Sequence, residues 1–288
     1  MVIFRIMNMT KHTVSIDWLK ANLDHPDLII LDASLPKPMT KAEDNPLAEI
    51  QIPGALFFDI DHRFSDATIN LPHTMLSEED FNGEARKLGI NNESKLVVFD
   101  NLGVYSSPRV WWMFKAMGHD DIAVLDGGLP EWVKAGLPTE AKEKSQINPG
   151  NFTANPRSSF FKNADDVLSV QSDTDTLILD ARSRGRFEGT EPEPRAGLRG
   201  GHIPNSICLP FPEVVRENKM KDSNELKDQF EQLGVKHHDL VFSCGSGLTA
   251  CIIALAAQIA GYEKLSVYDG SWSEWGQPGN LPVSTGAA

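Results

Sequence analysis

Cationic side chains are scarce in this chain: 27 lysines and arginines stand against 40 aspartates and glutamates, a formal net charge of −13 over 288 residues. Such a balance argues against nucleic acid and acidic membranes as partners. An anionic ligand has to be drawn by a few local cations, not by the global field. Cysteine is equally sparse, three residues in all, too few for a disulfide framework and suited to a reducing compartment where a reactive thiol survives. No apolar run approaches the roughly 20 residues of a membrane span. The apolar start, Met1-Val2-Ile3-Phe4-Arg5-Ile6-Met7, is too short for a secretory segment, and no small-residue cleavage site follows it. Together these absences predict a soluble, cytoplasmic protein. With 41% apolar residues, the chain can bury one large core or two of ordinary size.

A long-period repeat favours two. Leu28-Ile29-Ile30-Leu31-Asp32-Ala33-Ser34 recurs as Leu177-Ile178-Leu179-Asp180-Ala181-Arg182-Ser183, and Ile52-Pro53-Gly54-Ala55 as Ile203-Pro204-Asn205-Ser206. Leu96-Val97-Val98-Phe99-Asp100, a helix to Gly118 and Val124-Leu125-Asp126-Gly127-Gly128 form one series. Leu240 to Cys244, a helix to Gly261 and Val267-Tyr268-Asp269-Gly270-Ser271 form its counterpart, and Trp132 and Trp275 close the copies at matching places. Such a period means duplicated domains rather than a solenoid. Short apolar strands alternating with helical segments predict an α/β fold, each copy a parallel sheet flanked by helices on both faces. The expected division is residues 1–142, a linker at 143–158 within a polar stretch containing Pro149-Gly150, and residues 159–288.

The most informative stretch is Cys244-Gly245-Ser246-Gly247-Leu248-Thr249-Ala250. An apolar strand precedes it and a helix follows, so Cys244 is placed at the mouth of a strand-to-helix loop. Two glycines let the loop curl with its N–H groups inward, an anion-binding nest to which the helix dipole adds. That environment favours a thiolate nucleophile. Cys208 and Cys251 read instead as small buried hydrophobes. The first copy has Asp100 where the second has Cys244, so it cannot repeat thiol chemistry.

The loop resembles the Cys-x5-Arg loop of tyrosine phosphatases, but Ala250 stands where those enzymes need arginine, which disfavours phosphate-ester hydrolysis. It is similar to the active-site loop of the rhodanese family, and within it to the Cys-Gly-Ser-Gly-Val-Thr-Ala form of the mercaptopyruvate sulfurtransferases, Leu248 replacing valine. The resemblance covers nearly the whole chain and implies two tandem rhodanese-like domains, the first non-catalytic. Thiosulfate-specific members tend to carry basic residues after the cysteine; Gly245 and Ser246 are neutral. Gly185-Arg186-Phe187-Glu188-Gly189-Thr190-Glu191-Pro192-Glu193-Pro194-Arg195 is closely similar to the stretch whose two arginines hold the substrate carboxylate and keto oxygen in that branch. Carried over by position, these are Arg186 and Arg195, and guanidinium suits a planar carboxylate because its fork donates two parallel hydrogen bonds. Gly245, Gly247, Leu248 and Thr249 complete the expected binding loop.

The resemblance further implies a proton relay of Asp61, His73 and Ser246, with the logic of a histidine oriented by a carboxylate. Arg109 starts a helix and either reaches the cleft or pairs with an acid. The implied reaction moves sulfur from 3-mercaptopyruvate through a Cys244 persulfide to a thiol, such as thioredoxin or a small thiol, or to cyanide. Thiosulfate-to-cyanide transfer and a non-catalytic persulfide carrier remain alternatives. His237-His238 has no further ligand at metal-site spacing, Asp126-Gly127-Gly128 lacks a dinucleotide pattern, and Trp111-Trp112 reads as core. No metal and no organic cofactor is expected.

Overall fold

A computed structural model describes residues 12–35, 45–142, 147–235 and 238–287. The apolar start at residues 1–7, His237 and residues 143–146 of the linking stretch lie outside the described residues. The chain divides into two compact units: Met1–Phe64, Leu76–Arg157 and Glu217–Met220 form the first, and Ser65–Met75, Ser158–Arg216 and Lys221–Ala288 the second. Each half of the sequence thus lends a short segment to the unit built mainly from the other half.

In the first unit five strands, β1 (Thr13–Val14), β2 (Leu28–Asp32), β3 (Leu56–Phe57), β4 (Lys95–Phe99) and β5 (Ile122–Leu125), form a wholly parallel sheet in the order β3-β2-β4-β5-β1. In the second, β6 (Phe161–Lys162), β7 (Thr176–Asp180), β8 (Ser206–Cys208), β9 (Asp239–Ser243) and β10 (Leu265–Tyr268) take the equivalent order β8-β7-β9-β10-β6. Central strands covered on both faces need unbroken apolar runs, which is why β4 and β9 read Leu-Val-Val-Phe and Leu-Val-Phe. The expected α/β fold of two parallel sheets flanked by helices is the fold observed.

Four helices bear on function: α1 (Ser107–Ala116), α2 (Arg184–Glu188), α3 (Ala250–Ile259) and α4 (Ser271–Trp275). Every residue of α3 from Ala250 to Ala257 is buried, as expected of a helix apolar on all sides. It stops at Gly261, whose φ of 95° is the left-handed conformation that ends helices. Trp111 and Trp112 on α1 are both fully buried. The repeat extends to single hydrogen bonds: the indole N–H of Trp132 donates to the Pro138 carbonyl at 2.7 Å, and that of Trp275 to the Pro282 carbonyl at 2.7 Å. No described helix is long and apolar enough to cross a membrane.

Residues 147–157, within the polar stretch between the halves, run along the first unit. Phe152 is buried among Phe81 and Phe114, and Arg157 pairs with Asp120 at 2.6 Å. A Cβ on Gly150 would lie 2.0 Å from the Ile90 carbonyl oxygen, so only glycine permits this approach.

Asp100, at the end of β4, shows what the repeated strand-to-helix loop does. Its Oδ1 accepts the Leu102 N–H at 2.9 Å. Its Oδ2 accepts the N–H groups of Tyr105, Ser106 and Ser107 at 2.8, 3.1 and 2.9 Å and the Ser107 hydroxyl at 2.6 Å. The carboxylate is fully buried. The loop is an anion cradle filled by its own chain. Asp100→Asn keeps one acceptor oxygen but loses the charge and turns an amide toward several donors. It is expected to lower unfolding free energy by about 1–3 kcal/mol, read from the shift in urea midpoint.

Candidate active site

Cys244 directly follows β9 and is 1% exposed. The polypeptide around it is fastened by α4: the N–H groups of Trp272 and Ser273 donate to the Cys244 and Gly245 carbonyls at 2.9 and 2.8 Å, and the Ser273 hydroxyl donates to the Gly245 carbonyl at 2.6 Å. The Ser271 hydroxyl accepts the Cys244 N–H at 3.1 Å, donates to the Tyr268 carbonyl at 2.8 Å and lies 4.0 Å from Cys244 Sγ. Ser271 is fully buried with a φ of 47°, a backbone conformation unfavourable for any residue with a Cβ. Its counterpart in the first unit is Gly128, at φ 52°. There a Cβ would fall 2.4 Å from the Asp100 carbonyl oxygen. The second unit thus holds a residue with a Cβ in a conformation that its first-unit counterpart meets with glycine, and its hydroxyl lies near the thiol. Sequence reasoning missed Ser271, although its alignment with a glycine at a left-handed position was a usable signal.

The two loop glycines have different jobs. Gly247 has a φ of 72° and makes the curl that the spacing predicts, as Gly103 (φ 104°) does in the first unit. Gly245 is not in that region; its lack of a side chain makes room. A Cβ there would sit 3.2 Å from Arg186 Nη2 and 3.7 Å from Arg195 Nη1. Both guanidinium tips therefore converge on the residue next to Cys244. Arg186, on α2, is half-buried and Arg195 is exposed. Leu248 and Ser246 are buried, and Thr249 precedes the first residue of α3.

Arg186 is held from behind. Its Nε and Nη2 donate to Glu193 at 3.2 and 2.6 Å, and Arg182 Nη1 donates to the same carboxylate at 2.8 Å. Burial works against the Arg182 charge, but Asp180 and Glu193 beside it outweigh that and hold its pKa above the usual arginine value. Arg182 and Glu193 lie in motifs that are visible in the sequence; their burial and pairing are not.

His73 comes to the site on the segment Ser65–Met75. Its Nδ1 lies 2.9 Å from Ser246 Oγ and 3.3 Å from the Ser246 carbonyl oxygen. The segment is pinned by Met75, whose N–H donates to Asp269 Oδ2 at 2.8 Å, and is closed on itself by Asp66, whose N–H donates to the Thr74 carbonyl at 2.9 Å. An equivalent pin exists in the first unit, where Asp126 accepts the Met220 N–H at 2.9 Å. The structure thus brings His73 and Ser246 together. Asp61 lies exposed in the first unit, and Arg109 is fully buried there on α1.

The other cysteines have different surroundings. Burial, reinforced by the nearby Asp180 carboxylate, pushes the Cys208 thiol up to about 12. The Cys251 thiol, fully buried in α3, donates to the Gly247 carbonyl at 3.3 Å. Among the described residues no group of three or more His, Cys, Asp or Glu side chains is placed to hold a metal ion.

The Rhodanese-like domain family matches residues 15–135 and again 163–278. The chain belongs to the rhodanese-like family. Among its relatives, the thiosulfate/3-mercaptopyruvate sulfurtransferase 1, mitochondrial, of Arabidopsis thaliana is 40% identical, over 97% of this chain and 79% of its own. The 3-mercaptopyruvate sulfurtransferase of Homo sapiens is 40% identical over 91% of both chains. The crystal structure of SseA from Escherichia coli, described as a 3-mercaptopyruvate sulfotransferase with the rhodanese fold, superimposes with a TM-score of 0.81. It is 36% identical, over 92% of this chain and all of its own.

Proposed function

We propose that this protein is a 3-mercaptopyruvate sulfurtransferase that works through a persulfide on Cys244. The observation that carries the reading is the convergence of the Arg186 and Arg195 tips over Gly245, one residue from a buried thiol. A site with two guanidinium groups beside a cysteine suits a donor that joins a carboxylate to a transferable sulfur.

The arginines hold the carboxylate and keto oxygen of mercaptopyruvate so that its sulfur faces Cys244. The thiolate attacks that sulfur, the S–S bond forms, and the C–S electrons pass into the enolate of pyruvate. The arginines meet the charge that develops on the enolate oxygen, and protonation at carbon releases pyruvate. The hydrogen-bonded pair His73 and Ser246 handles the proton. An acceptor thiolate, from a small thiol or a protein such as thioredoxin, or cyanide, then attacks the outer sulfur and frees the Cys244 thiolate. Two steps around a stored intermediate give ping-pong kinetics. The abundance of thiol acceptors suits a reducing, cytoplasmic setting.

The Asp100 cradle supports the stored intermediate. A carboxylate oxygen of Asp100 and the outer sulfur of a Cys244 persulfide each stand two bonds from Cβ on equivalent residues of the repeat. The first unit therefore holds, permanently, an anion placed like the one the second unit forms in turnover.

Steady-state kinetics with both donors test the reading. Mercaptopyruvate is expected to be preferred over thiosulfate in kcat/KM, and a preference for thiosulfate overturns the donor assignment. Gly245→Arg with Ser246→Lys should narrow the preference in two ways. It supplies cations for a sulfonate, and a side chain at 245 enters the space held by Arg186, 3.2 Å from the Cβ position. A persulfide carrier without turnover is disfavoured because it needs no carboxylate clamp.

A further inference from the structure

The geometry points to Glu193 as a positioning residue that sets the grip of Arg186 on a carboxylate donor, with Arg182 as its anchor. The inference deepens the proposed function and rests on its reading of Arg186 as a carboxylate ligand.

Glu193 is in an unusual place for its loop. Glu191, Pro192, Pro194 and Arg195 around it are exposed, yet the Glu193 side chain is 2% exposed. Both of its oxygens are engaged. Oε1 accepts from Arg182 Nη1 at 2.8 Å and from Arg186 Nε at 3.2 Å, and Oε2 accepts from Arg186 Nη2 at 2.6 Å. The bond to Arg186 is a two-pronged fork along the Nε–Nη2 edge of the guanidinium, which fixes its plane. The adjoining Nη1–Nη2 edge is the one left to meet a second carboxylate, and its Nη2 is the atom beside Gly245.

Glu193 is itself immobilised. Arg182 has no exposed side-chain surface. Its backbone N–H, Nε and Nη2 donate to Asp180 at 3.0, 3.0 and 2.6 Å. Nη2 also donates to the Gly201 carbonyl at 2.8 Å, and the guanidinium lies 4.1 Å from the centre of the Trp272 ring. Charge alternates along this chain, Asp180, Arg182, Glu193, Arg186, and sums to zero. Arg195 then supplies the net positive charge that a monoanionic carboxylate meets. The buried part of the network is satisfied and rigid, so the Arg186 fork is aimed before the donor arrives, and no ordering of that long side chain is needed on binding.

Glu193→Gln keeps the shape and one acceptor but removes the charge and turns an amide toward one of the arginines. It is expected to raise KM for mercaptopyruvate about tenfold, the loss of one charge-assisted hydrogen bond's worth of orientation, while kcat stays within about threefold. In an Arg186→Met background the same change should add less than about twofold, because the two residues act as one unit. Protection of Cys244 against iodoacetamide by pyruvate, which requires no sulfur transfer, should weaken by the same factor. If Glu193→Gln fails to fold, Glu193→Asp, which keeps the charge and shortens the reach, is expected to give the same KM shift. Wild-type KM in the folded variant, or a full additional loss in the Arg186→Met background, overturns the inference. A wild-type protein that pyruvate protects but that does not turn over mercaptopyruvate sinks the proposed function and leaves this inference standing.

Discussion

Cys244→Ser is expected to abolish both turnover and the uptake of a single sulfur atom when the protein is incubated with mercaptopyruvate alone. The expectation is absolute because the reaction passes through a covalent S–S bond that a serine hydroxyl cannot form. Oxygen at that position also lacks the acidity and softness that make a thiolate the nucleophile. The other two cysteines cannot substitute. Cys208, with its thiol pushed up to about 12 by burial and the Asp180 charge, stays protonated near neutral pH. Cys251 is fully buried, with its thiol donating to the Gly247 carbonyl. Cys208→Ala and Cys251→Ala should therefore keep the adduct and the activity, subject to the small packing losses of a buried truncation. Intact-mass measurement followed by peptide mapping checks this. A persulfide mapped to either of those cysteines, or retained in Cys244→Ser, overturns the assignment.

The fold was readable because both copies spell out the same elements in the same order, and apolar central strands have few alternatives to a covered parallel sheet. The placement of Cys244 was readable for a similar reason: its position between strand and helix, and the glycine at 247, constrain the loop locally. What escaped reading depends on contacts distant in sequence. Ser271 looks like an ordinary helix-start serine until its left-handed backbone and full burial are seen. The segment Ser65–Met75 has no periodicity that announces its place in the second unit; bonds to residues far along the chain, Met75 to Asp269 and His73 to Ser246, pin it there. Asp100 reads as a missing nucleophile, whereas it is the filling of an anion cradle. Gly245 was expected to bend the loop and instead clears space for two arginines. In each case local pattern names the residue, and tertiary packing decides its task.

Arg186→Lys and Arg195→Lys are each expected to lower kcat/KM for mercaptopyruvate by about ten- to hundredfold, since one charge-assisted hydrogen bond is worth about 1.5–3 kcal/mol and a decade corresponds to about 1.4. Lysine keeps the charge and loses the planar fork, so these variants test geometry rather than electrostatics. The two positions should not behave alike in detail. Arg186 is aimed by Glu193, and a lysine there can still pair with that carboxylate. It would do so with the only donor group it has, turning its ammonium away from Gly245. Its loss should fall at the upper end of the range and appear mainly in KM. Arg195 is exposed, and its charge is less firmly aimed, so Arg195→Lys should retain more activity and show a stronger dependence on ionic strength. In both variants Cys244 should remain reactive toward a small neutral alkylating agent, because such an agent has no carboxylate for the clamp to hold. Steady-state rates at two salt concentrations, with alkylation rates measured alongside, separate these effects. Wild-type turnover in both variants would make the arginines surface residues and remove the main support for a carboxylate donor.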